Sequence, residues 1–431
     1  MKIIKTTEED FKTEIKKIIT RNMDFQSEVE RVTNKIIEAV KENKDKSLFE
    51  FIEKYEKWKP RTKDDILVSD SELKEQIKRV PEKDKRVIQY VANRIKWFHR
   101  KTFPGNIILR KDGEMLGKVV VPIDSVGIYS PGGKAAYPST VLMCAIPAYI
   151  AKVNNIYLAT PAQNGQINPY IAYAAYVSGV KRIFKVGGAH AISAFAFGTE
   201  TIPKVDKIVG PGNIYVATAK RKVQGIVGTD IIAGPSEIVV VSDGSGNPNQ
   251  IAIDLIAQAE HDERAMSIFI CNVESFCIKV KNCILKFVDV MSRRDIIRVS
   301  LKNNGAIILT RDVDESLNIA NKIAPEHLEI VAKNPKSLLK KVKNAGTIFL
   351  SIPQAIGDYI AGPSHVLPTY GTARFSSGLS VDDFVKKTNI IFFTKRRLIK
   401  LAKYATRFAN IEGLQAHALS MERRFTREKF L

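Results

Sequence analysis

Histidine is scarce in this chain of 431 residues, and four of its six copies lie beyond residue 260. An imidazole titrates near neutral pH, moves protons and binds metal ions, so each histidine marks a place where chemistry is possible. The six are His99, His190, His261, His327, His365 and His417.

His327 stands next to Glu326, after Ala324-Pro325 and before the apolar stretch 328–331, which is predicted to be a strand. An adjacent carboxylate and imidazole at the edge of a sheet can act as a pair of general bases. The alternative is a solvent-facing turn between a helix and a strand, and the local sequence leaves both interpretations open.

Gln258 and His261 are three residues apart in QAEH, at the end of a predicted helix, and therefore share one helix face. Together they can hold one metal ion. Asp358, in the glycine-flanked segment IGDY, and His417, in EGLQAH, can complete an N/O ligand set suited to zinc or a similar ion. The alternative is a polar helix end on the surface, because spacing alone does not establish that the four side chains converge.

Three glycine-proline turns are predicted to end strands, where parallel sheets bind ligands through exposed N–H groups and helix N-termini. None of them fits the G-x-G-x-x-G fingerprint, and no G-x-x-x-x-G-K-[ST] sequence is present. A dinucleotide would therefore bind here without its usual fingerprint. The turns are SPGG (130–133), GPGN (210–213) and GPSE (234–237).

The charge balance is unusual, because 67 Lys and Arg against 46 Asp and Glu give a net charge of +21. The basic residues are scattered, and the chain contains no zinc-finger spacing and no RNP-like aromatic sequence. We therefore expect a solvated basic surface and no nucleic-acid partner. The four cysteines show no CxxC pair and are expected to be buried thiols.

The length exceeds what one hydrophobic core normally holds, so at least two cores are expected. The N-terminus has no apolar signal region, and the run 141–151 is too short to span a bilayer. A cytoplasmic enzyme without membrane contact is the expectation.

Short apolar stretches alternate with helical patterns from residue 118 onward, which predicts βαβ units and parallel sheets. The first hundred residues and the segment past Gly378 show helical patterns instead. The predicted strands are 119–121, 126–129, 156–159, 182–186, 207–209 and 238–241 in one set, and 266–271, 306–309, 328–331 and 347–350 in a second.

Seven segments in order resemble the histidinol dehydrogenase family over nearly the whole chain. They are YSPGGKAAYPS (129–139), GPGN (210–213), GPSE (234–237), QAEHDERA (258–265), APEHLE (324–329), GDYIAGPSHVLPTYGTAR (357–374) and LQAH (414–417). The resemblance implies an NAD-dependent oxidation of L-histidinol through L-histidinaldehyde to L-histidine.

The same resemblance implies roles for individual residues. Glu326 and His327 are the implied catalytic acid/base residues. The implied ligands of one zinc ion per subunit are Gln258, His261, Asp358 and His417, and these four also contact the substrate. The further implied substrate contacts are Ser236, His327, His365 and Glu412. The implied NAD contacts are Tyr129, His190 and Asn213. The family usually has glutamine where His190 stands.

The fold that the resemblance implies is α/β, with two incomplete Rossmann-like parallel-sheet domains and small helical N- and C-terminal pieces, in an intertwined homodimer with shared active sites. We expect an N-terminal helical segment (1–27), a first domain (28–128 and 238–380) with most metal and catalytic residues, an NAD-associated domain (129–237), and a helical tail (381–431) that completes the partner's site.

Two other functions remain to be weighed. A zinc hydrolase would use similar ligands, but the sequence contains no H-E-x-x-H helix. A nucleic-acid-binding function rests on charge alone and requires a steeply salt-dependent affinity. Formation of NADH with histidinol separates the dehydrogenase from both.

Overall fold

The computed structural model describes residues 1–21, 27–132, 136–231 and 234–424, so Gly133 of the first glycine-proline turn lies outside the described residues. The chain forms two compact units. Unit 1 comprises Met1–Thr102 and Ile123–Phe384, and unit 2 comprises Phe103–Pro122 and Val385–Leu431. None of the helices in the described ranges is long and apolar enough to cross a membrane.

The strands form three sheets, two parallel and one antiparallel. They are β1 (Lys2–Lys5), β2 (Ile107–Lys111), β3 (Glu114–Pro122), β4 (Ser125–Tyr129), β5 (Asn155–Thr160), β6 (Arg182–Lys185), β7 (Lys207–Val209), β8 (Gly228–Thr229), β9 (Glu237–Ser242), β10 (Met266–Cys271), β11 (Gly305–Leu309), β12 (His327–Val331), β13 (Thr347–Leu350) and β14 (Val385–Phe393).

Helices connect the strands, and three short 3-10 helices (Leu339–Lys341, Thr372–Arg374 and Val381–Phe384) supplement them. The α-helices are α1 (Phe11–Ile19), α2 (Ser27–Glu56, with a non-helical residue at Lys44), α3 (Lys63–Ile66), α4 (Asp70–Lys78), α5 (Glu82–Lys101), α6 (Pro138–Ile150), α7 (Pro169–Ser178), α8 (Gly188–Phe197), α9 (Ile214–Val223), α10 (Pro248–Ala259), α11 (Glu274–Val288), α12 (Arg294–Asn304), α13 (Val313–Ile323), α14 (Pro335–Leu338), α15 (Ala355–Tyr359), α16 (Lys395–Ile411) and α17 (Gln415–Glu422).

The six-stranded parallel sheet of unit 1 has the order β1-β11-β10-β9-β12-β13. Strands β9 and β10 are buried along their whole length, as expected when helices cover both faces of a sheet. Helices α10, α11 and α12 supply the apolar core on one face, and α1 and α13 supply it on the other. The chain leaves β9 toward β10 and β11, then returns to β12 on the other side of β9.

The five-stranded parallel sheet of unit 1 has the order β6-β5-β4-β7-β8. Helices α2, α8 and α9 contribute to the core packed against it. Phe195 lies at the centre of this core, fully buried and edge-on to Phe184 at 6.2 Å between ring centroids. A Cβ atom at Gly127 of β4 would lie 2.6 Å from the Phe195 ring, so the glycine lets helix α8 approach the strand.

The predicted fold class is confirmed: the chain is α/β, with two parallel sheets and helical pieces near both ends. The structure differs from the sequence prediction in that β1, β2, β8 and β14 were not predicted. Strand β1 pairs with β11 at the edge of the six-stranded sheet, β3 pairs antiparallel with β2 and β14, and β14 occupies the start of the tail that was predicted to be helical. These pairings join distant segments, which local periodicity does not reveal.

The turn 234–237 is a further correction. It was predicted to end a strand, but Glu237 begins β9, so this turn lies at the amino edge of the six-stranded sheet. The four cysteines are free thiols; Cys144, Cys271 and Cys277 are buried as predicted, whereas Cys283 is partly exposed.

We predict that Phe195→Ala lowers the free energy of unfolding by about 3–5 kcal/mol, because it leaves a cavity that the surrounding core only partly fills. Urea unfolding monitored by circular dichroism measures this change. The matched control is Phe375→Ala, since Phe375 is 76% exposed and its truncation should change stability by less than about 0.5 kcal/mol. Equal effects of the two substitutions would contradict the proposed core.

Candidate active site at the amino edge of the six-stranded sheet

The candidate catalytic pair lies where β12 begins. His327 is the first residue of the strand and pairs in register with Ile238 of β9. This register places Glu326 beside Glu237, whose backbone N–H donates to Glu326 Oε2 at 2.8 Å. Both members of the pair are buried, so the solvent-facing turn considered from the sequence is excluded.

His327 connects the predicted metal ligands of unit 1. Its Nδ1 lies 3.3 Å from Oε1 of Gln258, on the last turn of α10, and its Nε2 lies 3.9 Å from Oδ1 of Asp358, on α15. The Phe349 ring packs edge-on against the imidazole at 5.5 Å between centroids. Gln258, Phe349 and Asp358 therefore meet around the imidazole of His327.

Two further histidines and a serine complete the cluster. Nδ1 of His261 lies 3.5 Å from Oγ of Ser236, which immediately precedes β9. Nδ1 of His365 lies 2.9 Å from the carbonyl oxygen of Asp358. Because a carbonyl oxygen can only accept, Nδ1 carries the proton and donates this hydrogen bond. We call Ser236, Gln258, His261, Glu326, His327, Asp358 and His365 the amino-edge site.

Burial dominates the electrostatics of this site. Burial, helped by the charges of His261 and His365, lowers the pKa of His327 to about 3, so the imidazole is neutral at pH 7. It raises the pKa of Glu326 well above its ordinary value, with smaller contributions from Glu237 and Asp358. It also raises the pKa of Asp358 to about 6.

The remaining imidazoles show the same effect. Desolvation by surrounding protein lowers the pKa of His261, although part of the residue stays exposed to solvent. It also lowers the pKa of His365. The site thus collects neutral imidazoles and carboxyl groups that lack a cationic side chain, an arrangement suited to binding a cation and to moving protons.

An ion pair between Arg21 and Glu237 fixes the beginning of β9. The Arg21 guanidinium donates from Nε and Nη2 to the two carboxylate oxygens of Glu237, at 2.7 and 2.8 Å. The backbone N–H of Tyr370 donates to the same carboxylate at 2.9 Å. Such a bidentate pair holds its carboxylate in one orientation, and it therefore holds the first residue of β9, which contacts Glu326.

The three residues predicted to contact NAD lie at the carboxyl edge of the five-stranded sheet. Tyr129 ends β4, and its hydroxyl accepts a hydrogen bond from Gly188 N–H at 3.1 Å. His190 is buried on α8, and Asn213 caps α9, accepting from the N–H groups of Tyr215 and Val216 at 3.1 Å each. These are strand ends where open α/β sheets bind ligands.

Glu56 joins two parts of this edge. Its Oε1 accepts from Gly187 N–H at 2.8 Å and lies 2.9 Å from Nε2 of His190. The Tyr55 ring stacks on the imidazole at 6.2 Å between centroids. Glu56 was missed from the sequence because it ends a long amphipathic helix with no motif around it, so only the folded chain shows its contact with position 190.

A buried ion pair holds the turn 210–213. Lys220 Nζ contacts Asp230 and donates to the Gly210 carbonyl at 3.0 Å, while Asp230 accepts from Gly210 N–H at 2.7 Å. Gly210 has φ +116°, and a Cβ there would lie 2.0 Å from the Tyr129 carbonyl oxygen. This position therefore requires glycine, and its backbone joins the ends of β4 and β7.

Within unit 1, the part built on the five-stranded sheet contacts the part built on the six-stranded sheet at His365, whose Nε2 lies 3.5 Å from the hydroxyl of Thr140 on α6. Thr140 was also missed from the sequence, although it follows the quoted segment 129–139 directly. The contact brings a helix of the five-stranded half to the amino-edge site.

Glu412 and His417 are not part of this cluster in unit 1. They belong to unit 2, where Glu412 follows α16 and His417 lies on α17, and both side chains are exposed. Across residues 1–21, 27–132, 136–231 and 234–424, no group of three or more His, Cys, Asp or Glu side chains is placed to hold a metal ion. Unit 1 contributes Gln258, His261 and Asp358 to the predicted set of four.

Comparison with known proteins gives one consistent result. A family model described as histidinol dehydrogenase matches residues 19–425. The histidinol dehydrogenase of Dechloromonas aromatica (strain RCB) is 44% identical over 425 residues, which cover 98% of this chain and 98% of that protein. The histidinol dehydrogenase of Geobacter metallireducens is 44% identical over 431 residues, with 99% of each chain covered.

A solved structure agrees with the sequence comparisons. The crystal structure of histidinol dehydrogenase from Elizabethkingia anophelis superposes with a TM-score of 0.93 at 34% sequence identity. The superposition covers 98% of this chain and 98% of that one. The similarity therefore extends over both units and over every segment from which the resemblance was drawn.

Proposed function

This chain belongs to the histidinol dehydrogenase family, and we propose that it oxidises L-histidinol through L-histidinaldehyde to L-histidine. The first oxidation transfers a hydride to NAD⁺ and releases a proton. The second adds water to the aldehyde and transfers another hydride to a second NAD⁺, which releases two protons and leaves the product as a carboxylate. The observation that carries the proposal is the meeting of Glu326, His327, Gln258 and Asp358 in one cluster, of which the first three are buried.

The residues of the cluster fit a zinc ion. Gln258 is fully buried and its amide oxygen, the atom that would bind a metal ion, already faces the cluster, 3.3 Å from Nδ1 of His327. The half-buried Asp358 carboxyl group lies next to a neutral imidazole, that of His327, and His261 is exposed to solvent. We propose Gln258, His261, Asp358 and His417 as the ligands; zinc, when bound, would orient the amino and imidazole nitrogens of the substrate.

His327 is the proposed base for the alcohol. A buried imidazole with a pKa of about 3 is neutral at pH 7 and keeps one ring nitrogen free to accept a proton. Its neighbours Gln258 and Asp358 hold the ring in place, so the nitrogen needs little reorientation before proton transfer. Ser236, His365 and Glu412 are the proposed additional substrate contacts.

Glu326 is the proposed base for hydration of the aldehyde. One of its oxygens is engaged by Glu237 N–H, which fixes the carboxyl group beside His327. Its raised pKa makes the ionised form a stronger base than an exposed glutamate, because burial disfavours the charge. Two adjacent bases suit a reaction in which both an alcohol and a water molecule lose protons in the same pocket.

We assign NAD to residues 129–237, with Tyr129, His190 and Asn213 as contacts. The buried hydroxyl of Tyr129 and the carboxyl edge of the five-stranded sheet support this assignment. NAD, when bound, would accept the hydride. The contact between Thr140 and His365 supports the proposal that the cofactor and the substrate bind close to each other.

We further propose that a homodimer completes each site. Unit 2 exposes a broad apolar surface, which a single chain leaves in contact with water. A second copy of the chain would cover this surface and bring its Glu412 and His417 to the amino-edge site. The most exposed apolar residues of unit 2 are Ile107 (56%), Leu109 (64%), Ile391 (69%), Phe392 (53%), Tyr404 (67%), Phe408 (62%) and Ile411 (66%).

The first prediction concerns the metal. A chelator should abolish NADH formation from histidinol, added zinc should restore it, and His261→Ala should not retain zinc because one ligand is lost. Metal content is measured by mass spectrometry beside activity. The control is Cys283→Ser, which should keep the zinc because this thiol lies outside the proposed ligand set. Full activity of the metal-free protein would refute the proposed zinc role.

The second prediction separates the two bases. Glu326→Gln should slow oxidation of supplied histidinaldehyde by about 10²-fold or more while affecting the alcohol step less, and His327→Asn should slow both. In the parent protein the aldehyde step should rise with pH, because Glu326 acts as a base only when ionised and its pKa is raised. Glu263→Gln, at an exposed position, is the control. Unimpaired aldehyde oxidation by Glu326→Gln would remove this residue from the hydration step.

The third prediction concerns position 190. His190→Gln should be tolerated, because a glutamine amide can also donate to Glu56 Oε1, and it should change the KM for NAD more than kcat. Glu56→Gln should raise that KM as well, since the carboxylate also holds Gly187. Steady-state kinetics with varied NAD measures both. If neither substitution changes the KM, these residues do not contact the cofactor.

The fourth prediction concerns shared sites. A His327→Asn chain and a His417→Asn chain, each inactive alone, are co-expressed and the mixed dimer is purified through two different tags. If each site takes His417 from the partner subunit, one site of the mixed dimer carries both substitutions and the other carries neither, so about half the activity should return. A mixed dimer as inactive as its parents would mean that each site is built from one chain.

A further inference from the structure

The six-stranded sheet has a second crevice, at the edge opposite the amino-edge site. Strands β9 and β12 are neighbours, but the chain leaves β9 toward β10 and returns to β12 from β11. In open α/β sheets, ligands bind outside the carboxyl ends of the strands at such a reversal of strand order. A cavity of about 540 Å³ lies at this place.

The walls of the cavity come from the segments that follow three strands. They are Ser245 to Asn247 after β9, Val331 and Ala332 at the end of β12, and Ser351 to Pro353 after β13, with helix α10 on the remaining side. Ile251, Ile253 and Ile352 give it apolar surface. Its volume falls in the range of small-molecule sites, about 300–1,000 Å³.

Two carboxyl groups face this cavity without a counter-charge. Glu329 of β12 is 3% exposed, and within the described part of the chain its Oε2 has no hydrogen-bond partner. Asp254 of α10 is 8% exposed and also lines the cavity. Burial raises the pKa of Glu329 to about 8, helped by the charge of Asp254, and raises the pKa of Asp254 to about 6.

The lining excludes an anionic ligand. No Lys, Arg or His is among the described residues that line the cavity. The first N–H groups of α10 are already used: Asn249 N–H donates to the Asn247 side chain at 2.9 Å, and Gln250 and Ile251 N–H donate to the Asn247 carbonyl. A phosphate or nucleotide would thus find two carboxyl groups, while these three backbone N–H groups at the helix N-terminus are already engaged.

A metal ion is also disfavoured, because the described residues place no third His, Cys, Asp or Glu beside the two carboxyl groups. A ligand that complements this cavity would carry a positive charge, to balance the carboxyl groups of Glu329 and Asp254, and hydrogen-bond donors for their oxygens. A primary ammonium group supplies both, since it carries one charge and three donors. An apolar body attached to it would contact the isoleucines.

We propose that this cavity is a second ligand site, which binds a small primary amine with its ammonium group between Glu329 and Asp254. The proposal is independent of the reaction at the amino-edge site, because no residue that lines the cavity belongs to that site. Glu329 is two residues beyond His327 on that strand, and Asp254 lies one helical turn before Gln258, so the two sites share their supporting elements.

The test uses benzylamine as the probe and isothermal titration calorimetry as the measurement. The parent protein should bind benzylamine saturably and should not bind benzyl alcohol, which has a similar shape without the charge. Glu329→Gln and Asp254→Asn should each weaken binding by about tenfold or more, since each removes one carboxyl group, which the bound ammonium would hold in its ionised form, with little change in shape. His261→Ala should leave the affinity unchanged, because its substitution lies at the opposite edge.

Ile253→Trp provides a variant that does not depend on the buried carboxyl groups. Ile253 is 36% exposed, so a larger side chain can be accommodated at the surface while it fills part of the cavity and prevents binding. Absence of saturable binding by the parent protein, equal affinity in Glu329→Gln, or loss of binding in His261→Ala would each overturn the proposal. Displacement of benzylamine by calcium chloride, lost in the same carboxyl variants, would assign the cavity to a metal ion instead.

Discussion

The register between β9 and β12 is the constraint on which both ends of the six-stranded sheet depend. Pairing of His327 with Ile238 places Glu326 beside Glu237, and the backbone N–H of Glu237 donates to the catalytic candidate. A slip of one residue would turn every side chain of β12 to the other face. His327 would then leave its contacts with Gln258 and Asp358, and Glu329 would leave the cavity at the carboxyl edge.

Desolvation is the common cause of the unusual ionisation states at both edges. At the amino edge it keeps His327 neutral and makes Glu326 and Asp358 harder to ionise. At the carboxyl edge it acts in the same direction on Glu329 and Asp254. A chain with a net charge of +21 thus has an interior with unpaired acidic groups, which explains why both proposed ligands are cations or carry a cationic group.

The proposed composite site follows from the division of the chain into two units. Unit 1 holds two parallel sheets and collects the buried candidates, whereas Glu412 and His417 are exposed on the helices of unit 2. Unit 2 is a small antiparallel sheet with two helices, and much of its apolar surface is bare in the single chain. Obligate association is the usual explanation for such a surface, which connects the proposed dimer with the proposal that His417 is the fourth metal ligand.

The sequence alone determined the features that depend on short stretches of chain. Strands β9 and β10 were predicted from the apolar stretches 238–241 and 266–271, the turn 210–213 follows a strand as predicted, and the ordered segments identify the family. Tertiary structure alone decided the pairing of the edge strands β1 and β14, the position of the turn 234–237 at an amino edge, and the contact between Glu56 and His190. The physical reason is distance along the chain: pairing and burial join segments that local periodicity treats separately.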